Sequence, residues 1–163
     1  MKIVHILCCT LLLTTLAFAQ PSAEYSGTLV GTWRVLEFAE LNKSGNWRFW
    51  YGKHPRGYFV YDATGHVHIQ LMRVPTLSSF PEMNTDAGKM PSPEHALAAY
   101  TAYTAYFGTY TVDAARHVVT FHVEGSLAPD YTGTEQPRPF RLEGDRLELG
   151  DGKTWRVVME RVR

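Results

Sequence analysis

The chain has 163 residues, with 16 Lys plus Arg set against 16 Asp plus Glu. That is the length of one domain, and the even charge argues against a nucleic-acid partner, which asks for a basic surplus or stripe. Hydrophobic residues at 45% and charged residues at 20% exclude both a disordered tail and a membrane bundle. The cysteines, Cys8 and Cys9, are adjacent, so they build neither a disulfide framework nor a metal knuckle.

Lys2, the apolar run Ile6 to Phe18 and the small-x-small triplet Ala17-Phe18-Ala19 predict a cleaved secretory signal peptide over residues 1–19. The run is shorter than a span of about 20 residues needs, and an uncleaved anchor is the alternative. Cleavage removes both cysteines and Lys2, leaving a slightly acidic, cysteine-free chain bound for the periplasm or the exterior. Residues 20–28 read as a lead-in, and residues 29–163 as one domain. Without disulfides such a chain relies on its core, and at this length about two thirds of the unfolded surface can be buried.

Apolar alternation then predicts short strands: Leu29 to Leu41, Trp47 to Tyr51, Gly57 to Asp62 and His66 to Arg73. Asp62-Ala63-Thr64-Gly65 reads as a tight hairpin, since Gly takes positive φ without a steric cost. A loop-plus-helix insert follows at about 74–105. Pro75, Pro81, Ser78-Ser79 and Gly88 mark its loop. Ser92-Pro93-Glu94 caps and starts a helix predicted over His95 to Ala105, with Tyr100, Tyr103 and Tyr106 along one face. Strands resume at Phe107 to Asp113, His117 to Glu124, Glu135 to Leu142, Arg146 to Leu149 and Lys153 to Val162. Pro137 and Pro139 mark the third of these as edge-like or bulged. The fold class is therefore all-β: an eight- or nine-stranded antiparallel up-and-down barrel with one short helix inserted between strands.

Several segments carry a family likeness. Gly31-Thr32-Trp33 resembles the Gly-x-Trp start of lipocalin-type barrels. Pro55-Arg56-Gly57-Tyr58, Gln70-Leu71-Met72-Arg73, Phe107-Gly108-Thr109-Tyr110, His122-Val123-Glu124-x-Ser126-Leu127 and Gly133-Thr134-Glu135-Gln136-x-Arg138 together resemble the lipocalin-like domain family. The resemblance covers about Leu29 to Arg161. It implies a calycin-type barrel with an internal pocket, and a late arginine, Arg161 or Arg156, stacked on Trp33. It supplies a fold more than a function.

Period-two alternation separates an apolar from a polar face on several strands. Val67, Ile69 and Leu71 oppose His66, His68, Gln70 and Met72. Val119, Phe121 and Val123 oppose His122 and Glu124, while Gln136 and Arg138 share a face with Phe140. Periodicity alone does not say which face lines the barrel. The resemblance favours His122, Glu124, Gln136 and Arg138 inside, with Glu124 paired to Arg138; a polar network without chemistry is the bland version. Tyr106, Tyr110, Gln70 and Met72 complete the candidate lining. Tyr58, Tyr61 and Trp155 add aromatic walls, and Tyr100 and Tyr103 can cover the mouth. His66-x-His68 is a weak metal pattern, with His122-x-Glu124 as its only completion.

The expected function is an exported, monomeric barrel without a cofactor, holding a small apolar or aromatic molecule in an internal pocket. One alternative is a cofactor-free isomerase, cyclase or dehydratase using His122 and Glu124 for proton transfer. Another is an envelope or extracellular interaction module without a ligand. No nucleophile elbow, phosphate loop or dinucleotide fingerprint occurs.

Overall fold

The computed structural model describes residues 29–77 and 90–163. The expected signal peptide and lead-in, and most of the loop before the helix, lie outside the described residues.

The strands are β1 (Gly31–Leu41), β2 (Trp47–Arg48), β3 (Arg56–Tyr61), β4 (His66–Met72), β5 (Tyr103–Asp113), β6 (Val118–Ser126), β7 (Glu135–Glu143), β8 (Arg146–Gly150) and β9 (Trp155–Arg161). They form one 9-stranded antiparallel sheet in the order β2-β1-β3-β4-β5-β6-β7-β8-β9, and β1 also pairs with β9. That last pairing closes β1 and β3 to β9 into a ring and leaves β2 as an appendage. Closure removes the exposed edges an open sheet would present. The expected all-β barrel is the observed architecture.

The turns follow their residue chemistry. In the β3–β4 hairpin Gly65 sits at φ +90°. The Asp62 carboxylate accepts from the Thr64 and His66 backbone N–H groups at 2.8 and 2.9 Å. One end of the barrel is packed shut around Trp33, which has no solvent exposure and donates from Nε1 to the Leu29 carbonyl at 2.8 Å. Of the two arginines expected to stack there, Arg161 does, with its guanidinium 4.2 Å from the Trp33 ring centroid. Arg156 instead lies over Trp47 at 4.4 Å. Arg161 also donates to the Val30 carbonyl at 2.6 Å. Gly31, at φ +140°, makes room for it, since a Cβ there would stand 2.8 Å from Arg161 Nη1.

Two bulges change which residues face inward. In β1 the pairing with β9 slips between Val35 and Glu37. Trp33 and Val35 face in below the slip, and Phe38 and Glu40 line the interior above it. In β6, Gly125 pairs with Phe107 and Val123 with Gly108, so Glu124 is the extra residue. An extra residue inverts a period-two pattern. Val119, Phe121 and Val123 point in, and beyond the bulge Ser126 does.

The inserted helix, α1 (Pro93–Thr101), is shorter than the predicted His95 to Ala105. Its start is as expected: the Ser92 hydroxyl accepts from the His95 N–H at 3.3 Å, Pro93 opens the first turn and Glu94 sits at the positive end. Its end differs because residues 103–105 pair with β4, Tyr103 opposite Met72 and Ala105 opposite Gln70. Ladder hydrogen bonds along β4 outweigh another half-turn on a helix that buries none of its own residues. Tyr103 and Tyr106 therefore belong to β5, and only Tyr100 to the helix.

β7 explains its prolines. Residues 135–139 pair with β6, whereas pairing with β8 begins only at Phe140. Phe140 donates its N–H to His117 on the β6 side at 2.8 Å. By alternation Pro137 and Pro139 are aimed the other way, where no strand needs a donor.

Candidate functional site

Above the packed floor the barrel holds a cavity of about 560 Å³. Phe59, Ile69, Phe121, Leu149 and Val157 line its lower part, all inward-facing by strand alternation. Tyr106, Trp155 and Phe38 form aromatic walls, and Tyr51, Tyr100 and Tyr103 stand among the lining residues nearer α1. Tyr51 is held edge-on to Phe38, with ring centroids 5.3 Å apart, and its hydroxyl bonds to Thr104 Oγ1. Tyr103 donates to Gln70 Oε1 at 3.2 Å, which steers its ring at the rim. These contacts make a wall that is apolar in its body and carries hydroxyls at its tips.

Among the described residues Arg138 is the only basic one lining the cavity. A relay along β7 holds it. Arg138 Nη2 donates to Gln136 Oε1 at 2.8 Å, Gln136 Nε2 donates to Thr134 Oγ1 at 2.8 Å, and Thr134 donates to the Tyr131 carbonyl at 2.6 Å. Each donor in that chain has one acceptor, so the Gln136 amide orientation is set by both ends. The guanidinium lies 5.2 Å from the Trp155 ring centroid. Burial pushes the pKa of the nearby Tyr106 hydroxyl far up, and the Arg138 charge pulls it partly back. Tyr106 also packs on Tyr131 at 5.7 Å. Glu40, the one carboxylate lining the cavity among the described residues, is exposed and accepts from Trp50 Nε1 at 2.7 Å.

The candidate residues divide sharply. Tyr106 and Arg138 line the cavity, and Gln136 supports Arg138 from behind. Tyr110 points inward but lies in the closed end, where its hydroxyl donates to the Asp62 carbonyl at 3.1 Å. Gln70, Met72, His122 and Glu124 are on the outer face, which corrects the expected place of all four in the cavity lining. His122 meets Thr111 at 3.1 Å and Glu135 at 3.4 Å, both from the outside. The expected Glu124–Arg138 pair is absent because the barrel wall separates the two. Burial of Val119, Phe121 and Val123 decided the facing: each buried apolar side chain is worth about 1.5–3 kcal/mol, whereas His and Glu inside would need partners.

The remaining candidates are equally local. Tyr58 is 48% exposed on the outer face. His66 Nδ1 bonds to Thr64 Oγ1 at 2.8 Å, and His68 is exposed. In register Thr109 stands between His66 and His122. Among the described residues no group of His, Cys, Asp or Glu gathers as a metal site requires.

Reasoning on the sequence missed Ser126, Phe38 and Tyr51 as cavity residues. The first two depend on bulges, which no local pattern announces. Tyr51 falls in the strand expected over Trp47 to Tyr51, but only Trp47–Arg48 pair as β2, so strand alternation does not govern it.

The sequence profile of the lipocalin-like domain matches residues 30–160. The chain belongs to the lipocalin-like domain family. No curated protein matches it. A lipocalin-like barrel fits the binding of small molecules, and among the described residues no helix is long and apolar enough to cross a membrane.

Proposed function

We propose that this lipocalin-like protein is an exported, monomeric carrier that takes a small, mainly apolar or aromatic molecule into its barrel. One observation carries the reading: the barrel is packed solid at the Trp33 end and hollow at the other, with aromatic walls and few polar groups. A barrel meant only as a scaffold gains stability by filling that space. The proton-transfer alternative needs His122 and Glu124 inside, and both stand outside.

The neutral dye N-phenyl-1-naphthylamine tests the cavity. Its fluorescence should rise on binding to the purified protein. Ser126→Trp, which fills the cavity from the wall, should abolish the rise with the thermal midpoint retained. No rise with the unaltered protein, or an undiminished rise with the tryptophan variant, would remove the cavity from the function.

Export rests on Lys2, the apolar run and Ala17-Phe18-Ala19. Protein recovered from outside the cytoplasm should begin at Gln20; a retained Met1 would count against cleavage. Light scattering should report a single chain.

A further inference from the structure

Arg138 is anomalous among the barrel's arginines. The other half-buried strand arginines each have an acid: Arg156 meets Glu37 at 2.6 Å, and Arg161 meets Asp145 at 3.6 Å. Arg138 has no ion-pair partner among the described residues. A guanidinium carries five donor hydrogens in a fixed fork, and among the described residues it meets only neutral acceptors, Gln136 Oε1 at 2.8 Å and the Tyr106 hydroxyl. A partly desolvated cation without a counter-charge is costly to keep. The relay from Tyr131 through Thr134 and Gln136 nevertheless holds this one against the cavity. The Tyr106 hydroxyl, beside the same guanidinium, adds a donor. Glu40, the one anionic wall residue among the described residues, accepts from Trp50 Nε1.

We infer that the ligand is an apolar molecule ending in a carboxylate, which Arg138 and Tyr106 receive while the aromatic cavity takes the body. A carboxylate has two oxygens that match the guanidinium fork, and charge-assisted bonds of this kind are about twice as strong as neutral ones. An uncharged alcohol of equal length offers one oxygen and no charge. The wall therefore selects the body and Arg138 selects the head. The inference rests on the cavity being the binding site.

The test is displacement of N-phenyl-1-naphthylamine from the purified protein at pH 8 by dodecanoate and, separately, by dodecan-1-ol. Dodecanoate should compete about tenfold or more tightly than the alcohol. In Arg138→Gln the two should come within about twofold of each other, each referred to the dye affinity measured for that variant, and Arg138→Lys should keep part of the preference. Equal competition in the unaltered protein would overturn the inference and leave the cavity reading standing. So would an acid preference that survives Arg138→Gln. Should the dye itself fail to bind, the cavity reading falls and the inference with it. Should the glutamine variant fail to fold, Arg138→Lys takes its place, and an acid preference undiminished there would overturn the inference.

Discussion

Tyr61 has a buried hydroxyl with no hydrogen-bond partner among the described residues. Its ring is well used: it packs edge-on to Tyr110 at 5.1 Å and tilted on Phe121 at 6.0 Å. The oxygen is the costly part, since an unmet buried polar group costs about 1–3 kcal/mol. Tyr61→Phe keeps the ring and removes the burden. Urea unfolding should show equal or higher stability, by up to about 1 kcal/mol. A clear loss would mean that the hydroxyl has a partner, such as a buried water.

At the scale of elements the bulge in β6 matters most. It forms opposite Gly108, where a Cβ would stand 2.0 Å from the His122 carbonyl oxygen and 2.9 Å from the Glu124 nitrogen. Only glycine allows β5 and β6 to approach so closely at that point. Gly108→Ala must push the strands apart at the bulge, and a misfit of this kind costs about 1–3 kcal/mol. Urea unfolding should show that loss. The dye site should weaken too, because the same bulge turns Ser126 inward. An unchanged midpoint would show that the pair relaxes without cost. The motif Phe107-Gly108-Thr109-Tyr110 was legible as a family mark, but the reason for its glycine was not, because the atom it avoids belongs to another strand.

For the whole molecule, pH acts from both sides. Asp62, Asp113 and Asp151 are all held below the ordinary carboxylate value of 3.8. The main causes are the His66 backbone N–H for Asp62, the Arg116 side chain for Asp113 and the Thr154 hydroxyl for Asp151. A folded pKa below the unfolded one means that the unfolded chain binds more protons. The stabilisation is thus complete above about pH 4 and is lost as pH falls through the folded values. Tyr61, Tyr106 and Tyr110 are raised above 10.0, chiefly by burial. Their neutral forms are favoured in the fold, so stability is full below about pH 10 and declines as pH rises beyond it. From these six groups the thermal midpoint should fall below about pH 4 and above about pH 10. Asp151→Asn should flatten the acid slope; an unchanged slope would show that this turn carboxylate does not contribute.

The sequence by itself determined most of the strands, the hairpin at Gly65 and the helix start at Ser92, and the family resemblance implied an arginine on Trp33 without saying which. Those features rest on local chemistry: alternation, a glycine at positive φ, a hydroxyl cap and a family motif. It also supplied the composition of both faces of β4 and β6, yet not which face lines the barrel. On β7, Phe140 faces inward and carries Gln136 and Arg138 with it; on β6, Phe121 faces inward and carries His122 and Glu124 outward. A period of two yields two faces, and only packing against the rest of the ring, with one extra residue at each bulge, decides which is inside. That decision took His122 out of the cavity and left Arg138 in it without an ion-pair partner among the described residues.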